Sequence, residues 1–223
     1  MSEYLSAPDI AAFPDLARDR SWVRELPRGT ALARIFTAGG PHPMAWHEFR
    51  TYGPIDARFD PQPEPPSETV DAGVLYATLE QSSLGEEHAS AFASCLLEVF
   101  QSTRIVRRAT GAPTLAIFEN ARPMRLLDLS DSDWITVAGG SAAISSGDRM
   151  VSRAWARAIR ATYPNLDGVI SASSVVPTAR VVALWSPAID ALPRHPIAHL
   201  RLDRDELTGV IDRIAARYGY VVL

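Results

Sequence analysis

The chain contains no lysine; all 22 of its basic residues are arginine. That absence excludes Schiff-base catalysis through a lysine amine, and it excludes a Walker-type phosphate loop. Any phosphate bound here must be held by guanidinium forks, backbone N–H groups or hydroxyls. Cysteine is almost missing too. With Cys95 alone there can be no internal disulfide, so nothing calls for an oxidising compartment. Cys95 stands among apolar residues at helical spacing and reads as core rather than as a nucleophile. No apolar run approaches the roughly 20 residues needed to span a bilayer. The segment MSEYLSAPDIAAFPDLARDR lacks the basic start and apolar stretch of a secretory leader. The expectation is a cytoplasmic protein with no membrane partner. A net charge of -4 supplies no general basic face for nucleic acid.

Several common motifs are missing as well. There is no G-x-S-x-G elbow and no G-x-G-x-x-G fingerprint. His195 and His199 stand four apart, but Pro196 and the strand-like run after it spoil the helical geometry a metal pair needs. His47–Glu48 lacks a second histidine at the right offset. Neither a metal nor an organic cofactor is expected.

What is present is ordinary globular composition, 47% apolar and 22% charged over 223 residues, enough for one large domain. We expect a single domain over 1–223, with an N-terminal helical extension over 1–28 and a C-terminal extension over 190–223. Ile10, Phe13 and Leu16 predict a short helix within 6–20. Strands are expected at Thr30–Phe36, Gly73–Thr78, Thr114–Phe118, Arg125–Leu129, Gly168–Ala172, Arg180–Ser186 and Ile197–Leu202. Helical periodicity predicts Glu86–Gln101, Met150–Tyr163 and a helix over Asp203–Tyr218 with Asp203 and Glu206 in its first turn. Phe59–Glu68, FDPQPEPPSE, is too rich in proline for either and reads as a surface loop; Ala138–Gly147 reads as a second loop. Strands and helices mix without regular alternation, which points to an α+β fold with a mixed, largely antiparallel curved sheet and flanking helices.

Four segments, taken in order, carry a resemblance. ARIF holds Arg34 in an opening strand, and ARFD holds Arg58 after a loop. GVLYAT followed by CLLEVF gives Tyr76 on a strand and Glu98 on the next helix. LDGVISAS fits the pattern D-G-[IV]-x-x-x-S, with the serine at Ser173. Together, from about Arg34 to Trp185, these segments resemble the RES domain family, whose fold is similar to that of ADP-ribosyltransferase toxins. One spacing departs from the family pattern: EQSSLGEEHAS looks like an insertion between the tyrosine and the glutamate. A direct count selects Glu87 instead of Glu98. The small and apolar residues before Glu98, and Val99–Phe100 after it, favour Glu98.

The resemblance implies degradation of NAD+ at its nicotinamide–ribose bond, by phosphorolysis or hydrolysis, with inorganic phosphate as a co-substrate in the first case. It also implies a toxin neutralised by an antitoxin protein, and it leaves a homo-oligomer open. Under it, Glu98, Arg58 and Ser173 are the expected catalytic residues, and Arg34 and Tyr76 bind substrate. The residue types suit that chemistry. Guanidinium groups grip pyrophosphate bidentately. A carboxylate stabilises the positive charge that builds on the ribose as nicotinamide leaves as a neutral molecule. Tyr76 can stack on the nicotinamide or hydrogen-bond near it, and Ser173 can fix the ribose or the amide.

Each residue also has a plainer reading. Arg34 or Arg58 can be a structural ion pair, Tyr76 core, and Glu98 a solvated helix residue. The serine can slip to Ser171 or Ser174, and Trp46, Trp155 and Trp185 are packing residues. The competing functions are transfer of ADP-ribose to a macromolecule, and a non-catalytic binding module on the same fold.

Overall fold

Alternation along the central strands gives the sheet two unlike faces. The computed structural model describes residues 5–80, 87 and 90–223. In chain order the strands are β1 (Val23–Leu26), β2 (Ala31–Thr37), the two-residue β3 (Tyr52–Gly53) and β4 (Ser67–Glu68), β5 (Val74–Leu79) and the two-residue β6 (Ile105–Val106). They continue with β7 (Pro113–Glu119), β8 (Met124–Asp128), β9 (Gly168–Ala172), β10 (Arg180–Trp185), β11 (Ala198–Arg201) and β12 (Val221–Val222). The helices are α1 (Ala91–Phe100), α2 (Trp134–Val137), α3 (Arg149–Thr162) and α4 (Asp205–Tyr218).

Eight strands form one sheet in the order β1-β8-β9-β10-β5-β2-β7-β11. Only the β8–β9 step is parallel. The fold is therefore α+β with a mixed, largely antiparallel sheet, as the irregular alternation predicted. On β2, Leu32 and Phe36 turn to one face while Ala33 and Ile35 turn to the other. Trp46, Phe49 and the 3-10 segment Ser186–Ala191 cover the first face. Two helical cores cover the second: Trp134 and Trp155 from α2 and α3 centre one, and Leu96 and Ile211 from α1 and α4 the other. Between these two cores lies the cavity described below.

Helix α3 shows how the sequence builds its wall. Ser152, Trp155, Ala156 and Ile159 recur at helical spacing and are buried, the last three in the first core, while Arg149, Arg153, Arg157 and Arg160 are only partly buried. Asp148 caps it, its carboxylate accepting from Met150 N at 2.7 Å. The helix stops at Tyr163 because Pro164 disfavours helical backbone in the residue before it. Helix α4 ends on Gly219 in the left-handed region, φ 69°.

Several expectations need correction. The segment 6–20 is not one helix; it holds a 3-10 turn at Ile10–Ala12 and ends in the start of a second, Arg20–Trp22, because Pro8 and Pro14 interrupt any longer run. Its Phe13 stacks on Trp155 and Tyr163 with ring centroids 5.5 and 6.1 Å apart, while Ile10 stays exposed. The terminal segments are more than extensions, since β1 and β11 form the two edges of the sheet. Helix α1 begins at Ala91, where Ser90 caps Ala93 N at 3.2 Å, rather than at Glu86. Of EQSSLGEEHAS, residues 81–86 and 88–89 lie outside the described residues. Asp203 does not cap α4; it pairs with Arg201, and Asp205 and Glu206 occupy the first turn. The Ala138–Gly147 loop contains a 3-10 turn at Ala142–Ser145. Among the described residues no helix is long and apolar enough to cross a membrane.

Candidate functional site

A cavity of about 360 Å³ opens between the two helical cores. The sheet face lines it with Tyr76, Thr78, Ser171 and Val181. Helix α1 and its C-cap contribute Cys95, Glu98, Val99 and Gln101. The loop 55–59 brings Arg58, and the first residue of α3 brings Arg149.

Glu98 is where α1 passes from core to cavity. Residues Ala91 to Leu97 are all buried, and Glu98 is the first that is not. Its carboxylate is held by three well-placed donors. Ser173 Oγ reaches Oε1 at 2.5 Å, Ser174 N reaches the same oxygen at 2.9 Å, and Gln101 Nε2 reaches Oε2 at 3.0 Å. Ser173 is buried and does not line the cavity itself. Its oxygen accepts from Val175 N at 3.1 Å and Val176 N at 2.9 Å, so its one proton is directed at Glu98. Ser173 thus stands behind the carboxylate as its positioner, while Ser171 and Ser174 line the cavity.

The remainder of the D-G-[IV] motif proves architectural. Asp167 is buried and accepts from both terminal nitrogens of Arg122, at 2.8 and 3.0 Å, and from Arg125 N at 2.8 Å. A Cβ on Gly168 would lie 2.1 Å from the Ala183 carbonyl oxygen, so only glycine fits there.

Tyr76 lines the cavity while its hydroxyl is tied down, donating to Asp60 Oδ1 at 2.9 Å and accepting from Phe59 N at 3.0 Å. Burial, and then the neighbouring Asp60 charge, push its pKa well above the ordinary phenol value, so the hydroxyl stays a donor. Asp60 is fully buried in the proline-rich loop. It takes Arg50 Nη2 on both oxygens, at 2.6 and 2.7 Å, and Ile55 N at 2.8 Å. That knot fixes the loop from which Arg58 projects.

Arg58 donates to the carbonyls of Gly147 and Ser146. Burial lowers its pKa from the usual guanidinium value, and the charge of Arg149 lowers it further. Arg149 pairs with the exposed carboxylate of Asp56. Arg34, by contrast, does not line the cavity. It lies beside Phe36, with its guanidinium carbon 5.6 Å from the ring centroid, and Nη1 donates to Trp46 O at 2.8 Å and Glu48 O at 3.0 Å. The structure therefore brings Arg58, Tyr76 and Glu98 to one cavity, sets Ser173 directly behind Glu98, and leaves Arg34 apart.

The comparisons with known proteins are few. No family model matches the chain, and no curated protein matches it. A chain of the solved M. tuberculosis MbcT–MbcA toxin–antitoxin complex is 12% identical to it, with a TM-score of 0.55 over 93% of this chain and 96% of that one. The two chains share a fold.

Sequence reasoning passed over four residues of this region: Arg149, Gln101, Arg50 and Asp60. Gln101 stands one turn beyond Glu98 on the same helix, and that i, i+3 spacing was a readable signal. Arg149 and Asp60 carry no comparable local mark. Cys95 is buried as expected, its pKa pushed up to about 12 by burial. His199 stacks on Phe36 with ring centroids 5.7 Å apart, and among the described residues no cluster of three or more His, Cys, Asp or Glu can hold a metal.

Proposed function

We propose that this chain cleaves NAD+ at its nicotinamide–ribose bond, with phosphate or water as acceptor, and that it is the toxin of a toxin–antitoxin pair. The observation that carries the reading is the meeting of Glu98, Arg58 and Tyr76, taken from three separate motifs, around one cavity. The resemblance to the RES family implies the substrate. The fold shared with a chain of a toxin–antitoxin complex supports the biological role and an antitoxin partner.

In this reading the glycosidic C–N bond breaks with its electron pair passing to the nicotinamide nitrogen. Glu98, held by Ser173, Ser174 N and Gln101, faces the ribose and offsets the positive charge gathering there. Fixed donors keep the carboxylate oriented without reorganisation during the step. The Tyr76 ring offers a stacking surface, and Arg58 faces the pyrophosphate. The acceptor oxygen then bonds to the ribose carbon and gives up its proton. Water yields ADP-ribose; inorganic phosphate yields its 1-phosphate ester.

The test is NAD+ consumption by purified protein, with and without inorganic phosphate, and with every product identified. Nicotinamide release is expected. Persistence of NAD+ in both conditions overturns the reading, and label retained on a protein or nucleic acid replaces it with ADP-ribose transfer.

A further inference from the structure

Two guanidinium groups line the cavity, and only one of them belongs to a recognised motif. Arg58 donates to the carbonyls of Gly147 and Ser146, which neutralise no charge. Among the described residues, no carboxylate forms an ion pair with it. Arg149 has Asp56, whose side chain is 78% exposed against 30% for the arginine. An ion pair with so solvated a carboxylate is weak and readily exchanged. Glu98 is the remaining carboxylate of the cavity, and its oxygens are already taken by Ser173, Ser174 N and Gln101. Glu98, Asp56 and Asp148 act on Arg58 only from beyond ion-pair distance, and Arg149, on the same cavity wall, lowers its pKa more than any one of them raises it. Two guanidinium groups on one wall of a concave site offer the planar donor forks that bind an oxyanion.

We propose that Arg149 joins Arg58 in gripping a phosphate oxyanion, filling the place that Arg34 was expected to fill. The proposal rests on the NAD+ reading only for the source of that phosphate, either the dinucleotide pyrophosphate or the free phosphate acceptor. Asp56 then holds Arg149 in the absence of ligand and gives it up when the anion enters.

Calorimetry on the whole chain tests this, with ADP-ribose and inorganic phosphate as separate probes. Arg149→Gln should weaken at least one probe by about tenfold or more, the scale of a lost charge-assisted hydrogen bond. Loss confined to ADP-ribose assigns the pair to the pyrophosphate; loss confined to phosphate assigns it to the acceptor. Asp56→Asn releases Arg149 and should leave that probe bound as tightly as by wild type, or more tightly. Wild-type affinity for both probes in Arg149→Gln overturns the proposal, and so does failure of wild type to bind either probe. If Asp56→Asn weakens binding as much as Arg149→Gln, the arginine merely staples the loop, which also overturns it. Because the readout is binding, a chain that binds phosphate through Arg149 yet leaves NAD+ intact sinks the proposed function and spares this inference.

Discussion

Arg34 and Arg58 come from two motifs of the same resemblance, yet the two faces of the sheet put them to different uses. On the loop-covered face Arg34 is 6% exposed and spends Nη1 on two backbone carbonyls. Burial pulls its pKa down to about 10, the mark of a cation held where water does not reach. On the helix-covered face Arg58 is only partly buried and stands at an open cavity beside Arg149. The difference follows from the period of two along a strand. Ile35 lines the cavity, so its neighbour Arg34 must turn away. A motif specifies which residue is present; the strand register decides which face receives it.

That contrast can be broken most sharply at the cavity floor. Cys95 lines the cavity, and its pKa is pushed up from 9.0 to about 12. The native thiol should therefore react with an alkylating reagent at pH 8 about a thousandfold more slowly than in denatured chain. Equal rates would mean that the helix-covered face is open to its floor. The same shift has a stability consequence. The folded state favours the neutral thiol, so this contribution is complete below the ordinary thiol pKa and drains away as pH rises toward 12. An alkaline melting series should therefore fall less steeply in Cys95→Ala than in wild type.

Next in size is Glu98→Gln. The amide keeps the shape and can still accept from Ser173, but it carries no charge. Nicotinamide release should fall by about 100- to 1000-fold, the usual cost of one electrostatic partner of a transition state, while the melting temperature stays near wild type. Unaltered release would show that the carboxylate wall of the cavity is not where the chemistry happens.

Arg34→Met tests the opposite face. Methionine keeps much of the volume but leaves the Trp46 and Glu48 carbonyls without their donor. Urea unfolding should show a loss of about 1–3 kcal/mol, with KM for NAD+ little changed. The reverse outcome, a raised KM with the unfolding midpoint intact, would return Arg34 to the substrate and erase the distinction between the faces.

Much of this was legible in the sequence because it was written locally. Strands β2, β5, β7, β9 and β10, and helices α1, α3 and α4, stood out through apolar period and turn residues. Strand β1 did not, since VREL carries a charge at two of its four positions and becomes a strand only by pairing with β8 across about a hundred residues. Strands β6 and β12, two residues each, exist only as partners of one another. The cavity divides in the same way. Glu98, Tyr76 and Arg58 sit in recognisable strings, whereas Arg149 meets Asp56 across 93 positions. The Arg50–Asp60 knot lies close in sequence, but it is hidden inside a proline-rich loop that reads as solvent-facing.

The smallest expected effect bears on the choice between two glutamates. Counting along the family pattern selects Glu87, and helix context selects Glu98. In the structure Glu87 is exposed and forms a paired contact with Arg213, at 2.8 and 2.7 Å, whereas Glu98 lines the cavity. A solvated pair of long side chains gains little from its Coulomb attraction, because water screens it and ordering both chains costs entropy. Glu87→Gln should therefore leave both kcat/KM and melting temperature at wild-type values. Loss of activity in that variant, with Glu98→Gln still active, would move the reacting carboxylate out of the cavity and onto the outer surface.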